Sequence, residues 1–199
     1  YSYPQLNELV PKARELASKA IKLDGSLAEP HSLLGSICFS YDRDFVCMER
    51  EQKLAIELNP SFADAYRRFG LSVDQLGRSD EAATALKRAL EIDPLSPAAN
   101  FNYAQSLFFA RKYEECEILA KRNIELDANF WYARWLLFYV YRQKRDYGAA
   151  VEELAKVQDS RGEPDAAKFI RESFTVGDWP AFLRKITEQR TRLKLYPYF

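Results

Sequence analysis

Apolar side chains recur along this chain with the spacing of one face of an α-helix. Between residues 63 and 92 two such stretches follow each other, separated by Gly77 and ended by Asp93 and Pro94. Proline ends a helix because it lacks a backbone donor and its ring clashes with the preceding turn. The pattern predicts two consecutive helices, with apolar positions at Tyr66, Phe69, Gly70 and Val73 in the first and at Ala82, Leu86, Ala89 and Leu90 in the second.

The same two-helix pattern is repeated along the chain at a nearly constant spacing. Pro60 and Pro94 are 34 residues apart, and so are Pro94 and Ala128. The preceding step, from Gly25 to Pro60, is 35 residues, which one extra residue in the turn around 41–44 would explain. The pattern predicts eleven helices, near residues 4–22, 28–40, 44–58, 63–76, 79–92, 97–110, 113–126, 130–143, 147–157, 163–175 and 178–195.

This period of paired helices resembles the tetratricopeptide repeat. That repeat has an aromatic residue, Leu-Gly and Tyr in its first helix, and Ala, Phe, Ala and a closing Pro in its second. The resemblance covers residues 28–157 and, in part, 4–24. It implies an all-α fold, a right-handed superhelical solenoid of antiparallel helix pairs in which each repeat contacts its neighbours.

We expect the chain to form a single domain over residues 1–199. The expected parts are a half repeat at 4–24, repeats at 28–60, 63–94, 97–128 and 131–157, and a terminal helix pair at 163–195. Because the chain opens on Tyr1 and on a lone second helix, we also expect it to be a piece of a longer protein. The stretch YDRDFVCMEREQKLAIELNP looks like the repeats that follow winged-helix, nucleotide cyclase or protein kinase domains in bacterial regulators.

Small residues stand where the two helices of a repeat would cross. Gly70, Ala82 and Ala89 lack bulky side chains, so the two backbones can approach closely. We therefore expect Gly70→Leu to destabilise the fold and Ser36→Leu, at an outward position, to have little effect. Phe138 occupies the position of Gly70 in the last clear repeat, which predicts a different packing there.

The composition gives no argument for nucleic acid, a membrane or a metal. Lys plus Arg and Asp plus Glu balance at 29 each, and no apolar run approaches the ~18 residues of a spanning helix. Without a signal peptide pattern, we expect a cytoplasmic location. Cys38, Cys47 and Cys116 are expected to be small core residues rather than disulfide partners. With His31 as the only histidine, we expect no metal and no cofactor.

No set of residues has the arrangement of an active site. Adjacent acidic residues such as Glu114 and Glu115 fall in the first turn of a predicted helix, where negative charge complements the helix dipole. Such neighbours also point ~100° apart and do not converge. His31 stands where the family has a packing aromatic. We expect no enzyme and no small-molecule substrate.

The candidate binding surface is the outward face of the first helix in each pair. In the family that this chain resembles, that face lines a concave groove. Its later positions carry more aromatic surface than solvation requires, and clustered exposed aromatics usually mark an interface. Outward positions of the first such helix are Ser32, Ser36 and Phe39. We expect a partner protein or peptide to bind in the groove at Arg67, Phe101, Asn102, Gln105, Phe108, Phe109, Tyr132, Trp135, Tyr139 and Arg142.

Two alternatives to this binding module stay open. In one, the array is a structural module that forms a homo-oligomer, with the same aromatics buried against a second copy. In the other, which is less favoured, basic residues in the turns within pairs align into a ridge that contacts nucleic acid. The residues of this ridge are Arg43, Arg78, Arg111, Lys112, Lys144 and Arg145.

Overall fold

The structure, a computed structural model, describes residues 6–175, 178–189 and 191. These residues form eleven α-helices: α1 (Leu6–Leu23), α2 (Ala28–Ile37), α3 (Phe45–Leu58), α4 (Ala63–Gln75), α5 (Ser79–Ile92), α6 (Pro97–Phe109), α7 (Tyr113–Leu126), α8 (Trp131–Gln143), α9 (Tyr147–Ser160), α10 (Pro164–Ser173) and α11 (Trp179–Glu188). The predicted helices are confirmed, although α9 continues to Ser160 and α11 ends at Glu188 rather than near residue 195. Parts of the predicted first and last helices, at residues 4–5, 190 and 192–195, lie outside the described residues. Within the described ranges, no helix has the length and apolar character needed to cross a membrane.

Contacts between residues divide the chain into two compact units, Tyr1–Ser106 and Leu107–Phe199. In the first unit α2 packs against α3, α4 packs against α5, and α1 packs against α2. In the second unit α8 packs against α9, with α7 against α8 and α10 against α9. The expectation of a single domain over residues 1–199 stays a prediction.

The close helix crossing predicted at Gly70 is confirmed. A Cβ atom added to Gly70 would lie 2.7 Å from Cγ of Leu86 and 3.1 Å from the carbonyl oxygen of Ala82. Gly35 of α2 holds the equivalent place, where a Cβ would lie 2.8 Å from Cγ of Gln52 in α3. At both crossings a side chain in place of glycine would require the facing Leu86 or Gln52 side chain to shift.

The core of the second unit is built around Phe138, which has no exposed surface. Its ring centre lies 5.7 Å from that of Trp135 and 6.4 Å from that of Trp179 in α11. The helices α10 and α11 add Ile170 and Phe182 to the same core. Packing at this position differs from the glycine crossings, as predicted, because an aromatic core replaces a close backbone approach.

The four helix pairs from α2 to α9 each turn through a residue in the left-handed backbone region. Arg43, Gly77, Arg111 and Arg145 have φ values of 58°, 80°, 61° and 61°, and successive members are 34 residues apart. Glycine adopts this conformation without strain, whereas other residues visit it less readily. The spacing identifies these four positions as one recurring feature of the repeat.

The extra residue of the first repeat lies in a π-helical turn at Cys38–Asp42. The amide of Asp44 donates to the carbonyl of Cys38, six residues back, whereas the corresponding amide of Arg78 donates to Val73, five residues back. A π-helical turn accommodates one additional residue within a helix. The insertion predicted from the 35-residue step is confirmed and lies at the end of the first helix.

Cys38 and Cys47 form a disulfide, so the expectation that all three cysteines are unpaired core residues is wrong for these two. Their Cα atoms are 5.9 Å apart, within the usual range for a disulfide. They meet because the π-helical turn brings the end of α2 beside the first turn of α3. Cys116 is a free, buried thiol, and burial raises the pKa of that thiol to about 12.

Candidate partner-binding surfaces

In the first unit, polar side chains of α2, α4 and α6 form one hydrogen-bonded network. Arg67 of α4 donates from Nη1 to Oδ1 of Asn102 in α6, at 3.2 Å. Arg68 donates from Nη1 to Oγ of Ser36 in α2, at 3.0 Å. Both guanidinium groups also bond to the carboxylate of Asp64. The network brings together two of the predicted binding residues and holds their side chains in fixed positions.

The network leaves excess positive charge at the surface of the first unit. Burial raises the pKa of Asp64, but hydrogen bonds from Arg68 and Arg67 outweigh burial and hold that pKa below its ordinary value of 3.8. Asp64 is therefore ionised and balances only one of the two guanidinium groups. Asp64 and Arg68 were not among the predicted binding residues, although their spacing at i and i+4 indicates a helix ion pair.

Two positions predicted to point outward from the first repeat are buried instead. Ser32 is 1% exposed, and its hydroxyl donates to Oε1 of Gln52 in α3 at 3.1 Å. Phe39 is 9% exposed and packs in a core cluster with Met48 and Phe69. The π-helical turn changes the rotation of the backbone from Cys38 onward, which directs Phe39 toward α3 rather than outward.

Of the predicted residues on α6, Phe101 and Gln105 are half-buried in the first unit. Phe108 and Phe109, at the end of the same helix, belong to the second unit. Phe108 is half-buried, whereas Phe109 is 62% exposed. The end of the helix is thus where aromatic surface reaches solvent.

In the second unit, Phe108, Phe109, Tyr139 and Arg142 form a continuous surface that we call the aromatic strip. The ring centre of Phe108 lies 5.7 Å from that of Phe109 and 6.1 Å from that of Tyr139. The guanidinium of Arg142 lies 5.7 Å from the ring centre of Tyr139, within the range of a cation–π contact. Four of the predicted binding residues are therefore neighbours in the folded unit.

Trp135, also predicted to be outward, is part of the core. Its side chain is 8% exposed and belongs to the same buried cluster as Leu154, Ile170 and Phe182. It stacks beneath the aromatic strip, with its ring centre 5.9 Å from that of Tyr139. The prediction was wrong because α10 and α11 add an apolar layer that the helical phase of α8 alone does not reveal.

Tyr132 lies in an aromatic cluster at the start of α8. It is 45% exposed and stacks on Trp131, with ring centres 3.8 Å apart. The guanidinium of Arg161 lies 5.8 Å from the ring centre of Trp131. The exposure predicted for Tyr132 is confirmed.

The basic residues of the predicted ridge are partly neutralised. Arg78 donates to Oε2 of Glu49 at 2.7 Å, and Lys144 donates to Oε2 of Glu117 at 2.8 Å. Binding to phosphates requires uncompensated cations, because the affinity comes from counterion release. The turns therefore offer less free positive charge than their sequence indicates.

Part of the chain matches a known family model. Residues 55–97 and 67–115 match the model for the tetratricopeptide repeat. The chain is 34% identical over 86 residues to the protein O-mannosyl-transferase Tmtc1 of Drosophila melanogaster, covering 43% of this chain and 10% of that protein. It is 34% identical over 90 residues to the heat shock protein STI1 of Saccharomyces cerevisiae, covering 44% of this chain and 15% of that protein. The matches thus span a small fraction of both relatives.

Solved structures share the fold over most of the chain. The structure of PilW, a type IV pilus biogenesis factor, gives a TM-score of 0.72 at 17% identity, covering 91% of this chain and 84% of that one. The structure of YrrB gives 0.64 at 21% identity, covering 85% and 86%. The structure of pilF from Pseudomonas aeruginosa gives 0.64 at 16% identity, covering 92% and 93%. These similarities confirm the predicted all-α solenoid fold class.

Proposed function

We propose that this chain, whose residues 55–97 and 67–115 match the tetratricopeptide repeat model, binds a peptide segment of a partner protein on the outward face of its first helices. Tetratricopeptide repeats are protein–protein interaction scaffolds and are generally non-catalytic. The proposed role is accordingly one of binding, without a cofactor or a chemical step. The cytoplasmic location expected from the sequence stays a prediction.

The exposure of Phe109 is the observation that carries this proposal. Its side chain is 62% exposed although it touches Phe108, which in turn contacts Tyr139. The ring of Phe109 is thus an exposed apolar surface that packs on half-buried aromatic rings. Aromatic and Arg side chains are enriched among the residues that contribute most to binding at protein interfaces. YrrB, one of the similar structures, is described as a tetratricopeptide repeat protein with an unusual peptide-binding site, which supports a peptide as the ligand.

The charges beside these surfaces favour a partner segment that carries both apolar and acidic residues. Arg142 is the cationic residue of the aromatic strip, and Arg67 and Arg68 outnumber Asp64 in the first unit. An acidic side chain can accept two parallel hydrogen bonds from a guanidinium group. We therefore propose that apolar side chains of the partner contact the strip and acidic ones contact the arginines.

A random peptide library provides a test that requires no knowledge of the natural partner. Peptides selected on the wild-type chain are measured by calorimetry against Phe109→Ala and Arg142→Gln. We expect Phe109→Ala to weaken binding by about fivefold or more, because a central anchor contributes ~1 kcal/mol or more. Arg142→Gln should weaken chiefly the peptides that contain Asp or Glu.

Ile118→Ala supplies the matched control, because Ile118 is 67% exposed on α7 and lies outside the proposed surfaces. It should bind every selected peptide as the wild type does. Peptides that bind equally to the wild type and to Phe109→Ala would exclude the strip as the binding surface. Loss of binding in Arg67→Gln alone would move the site to the first unit.

A further inference from the structure

Among the four turns within helix pairs, the one between α2 and α3 is distinguished by cysteines at its two ends. This turn contains the extra residue of the first repeat, in a π-helical segment that begins at Cys38. Cys38 is joined to Cys47 of α3. The corresponding positions in the later repeats hold Val73 and Glu81, Leu107 and Glu115, and Tyr141 and Ala149. The covalent bond therefore accompanies the longer turn, whereas the shorter turns are closed by backbone hydrogen bonds alone.

The two sulfur-bearing residues differ in their access to solvent. Cys38 is 2% exposed and packs in the core of the first unit, whereas Cys47 is half-buried in the first turn of α3. The position of Cys47 reaches solvent in every repeat, since Glu81, Glu115 and Ala149 are also half-buried or exposed although a helix pair precedes each of them. A dissolved thiol therefore reaches the sulfur of Cys47 more readily than that of Cys38.

A guanidinium group lies beside the more accessible sulfur. Nη2 of Arg50 is 3.9 Å from Sγ of Cys47, and the first turn of a helix favours negative charge. Both features stabilise a thiolate and so increase the reactivity of a cysteine. Two carboxylates stand nearby, but each is bound by a donor: Asp44 by the amide of Cys47 at 2.9 Å, and Glu51 by Arg50 at 2.8 Å.

We propose that Cys38 and Cys47 form a thiol–disulfide exchange site, which small thiols open and small disulfides close. In the opening reaction an external thiolate attacks Sγ of Cys47, the bond between the two cysteines breaks, and Cys38 leaves as a thiolate that takes up a proton. A second external thiolate then attacks the external sulfur of the mixed disulfide. This step frees Cys47 and forms the external disulfide, so that two external thiols supply the two electrons.

Opening this bond releases a turn that positions other parts of the first unit. The amide of Asp44 bonds to the carbonyl of Cys38 across the π-helical turn, and the disulfide holds the same two ends together. Phe39, the next residue, packs in the core cluster of this unit. Ser36, two residues earlier, accepts a hydrogen bond from Arg68. Reduction should therefore destabilise the first unit, because a cross-link that restricts the unfolded chain is lost.

Thiol counting on the 199-residue chain tests the site directly and does not rest on the proposed function. The folded chain is equilibrated with glutathione mixtures from fully reduced to fully oxidised, trapped by alkylation in denaturant, and weighed by mass spectrometry. We expect the wild type to gain and lose two thiols reversibly, those of the disulfide pair. Cys116, the free cysteine, contributes equally to every sample.

Single cysteine variants test which sulfur is attacked. With glutathione disulfide, Cys38→Ala should form a mixed disulfide at Cys47 at least about tenfold faster than Cys47→Ser forms one at Cys38, because the reaction requires an accessible thiolate. Adding Arg50→Gln to Cys38→Ala should slow the reaction by about threefold or more. Arg88→Gln is the matched control, since Arg88 pairs with Glu91 on α5, and it should leave the rate unchanged. Circular dichroism checks that every variant keeps its helical content.

Melting with and without dithiothreitol tests the effect on the fold. The reductant should lower the melting temperature of the wild type by about 5 °C or more and leave that of a chain carrying both Cys38→Ala and Cys47→Ser unchanged. A disulfide that resists glutathione until urea unfolds the chain would overturn the proposal and make the bond a permanent cross-link. Equal rates of mixed-disulfide formation at the two cysteines would overturn the assignment of Cys47 as the attacked residue, and with it the proposed reaction.

Discussion

The carboxylate of Glu49 in α3 lies 2.7 Å from Nη1 of Arg78, in the turn that joins α4 to α5. Glu117 of α7, two repeats further along the chain, lies 2.8 Å from Nζ of Lys144 in the turn that joins α8 to α9. Each contact ties the second helix of one pair to the turn of the following pair. Hydrogen bonds from Arg78 and Lys53 lower the pKa of Glu49 to about 2.

Glu49→Gln should lower the melting temperature near neutral pH and matter progressively less in acid. The carboxyl has an ordinary pKa of 4.5 when the chain is unfolded and a pKa of about 2 when it is folded. A lowered pKa gives stabilisation that is present above 4.5 and is lost as the pH falls through the folded pKa. Thermal denaturation near neutral pH, at about pH 4 and at about pH 2.5 measures the effect.

The control for this acid dependence is Glu115→Gln on α7. Glu115 is exposed and makes no ion pair with any residue that the structure describes. This variant should melt like the wild type at each pH. A difference between Glu49→Gln and the wild type that stays constant down to about pH 2.5 would contradict the ion pair as its cause.

Gly70→Ala should destabilise the first unit by about 1–3 kcal/mol, the usual cost of overpacking a core. A Cβ at this position would lie 2.7 Å from Cγ of Leu86 and 3.1 Å from the carbonyl oxygen of Ala82, so the Leu86 side chain or the facing helix must shift. Gly148→Ala is the control, because its Cβ would meet only Oδ1 of Asp146 at 3.9 Å. Urea denaturation of both variants tests the close crossing, and equal midpoints would refute it.

Ser36→Leu, which the sequence predicts to have little effect on stability, should destabilise the first unit. The hydroxyl of Ser36 accepts a hydrogen bond from Arg68 at 3.0 Å and donates one to the carbonyl of Ser32 at 3.0 Å. Leucine has no hydroxyl group, so Arg68 would lose its hydrogen bond to α2 and the polar network would be broken there. The expectation that this change has little effect is therefore replaced by one of measurable destabilisation.

Trp135→Ala and Phe109→Ala should affect stability very differently. Trp135 is 8% exposed and belongs to the core of the second unit, and truncating a buried aromatic to alanine typically costs about 3–5 kcal/mol. Phe109 is 62% exposed, so its removal leaves no cavity. Chemical denaturation measures both. Similar stability of the two variants would mean that Trp135 is not in the core.

Gln158→Met should stabilise the second unit by roughly 1 kcal/mol, because a buried polar group without a partner costs about 1–3 kcal/mol. The side chain of Gln158 is fully buried, and neither amide atom has a hydrogen-bond partner among the described residues. Gln52 is equally buried but bonds to the hydroxyl and the carbonyl of Ser32. Gln52→Met should therefore destabilise. Melting temperatures that move in the same direction for both variants would contradict this difference.

The positions of the helices could be predicted from the sequence because the signals that set them are local. A helix forms by bonds between residues four apart, and glycine or proline interrupts that ladder wherever it occurs. The 34-residue interval and the single 35-residue step therefore located the helices and the inserted residue. The glycine at position 70 likewise indicated a close helix crossing, since the crossing involves only α5, the next helix along the chain.

Burial at the candidate site depended on helices that are distant in sequence. Periodicity identifies the outward face of α8, but it does not reveal that α10 and α11 extend the core in which Trp135 is buried. The contacts of Arg67 with Asn102 and of Arg68 with Ser36 likewise join residues 35 and 32 positions apart.

The sequence by itself thus determined the repeat, the order of the helices and the exposure of Phe109 and Tyr132. Only the tertiary structure decided that Trp135 is core, that Cys38 pairs with Cys47, and that the cations of the turns are partly neutralised. The physical reason is that backbone hydrogen bonding is settled within a few residues. Side-chain burial, ion pairing and disulfide formation depend on which residues, distant in sequence, lie next to each other in the folded chain.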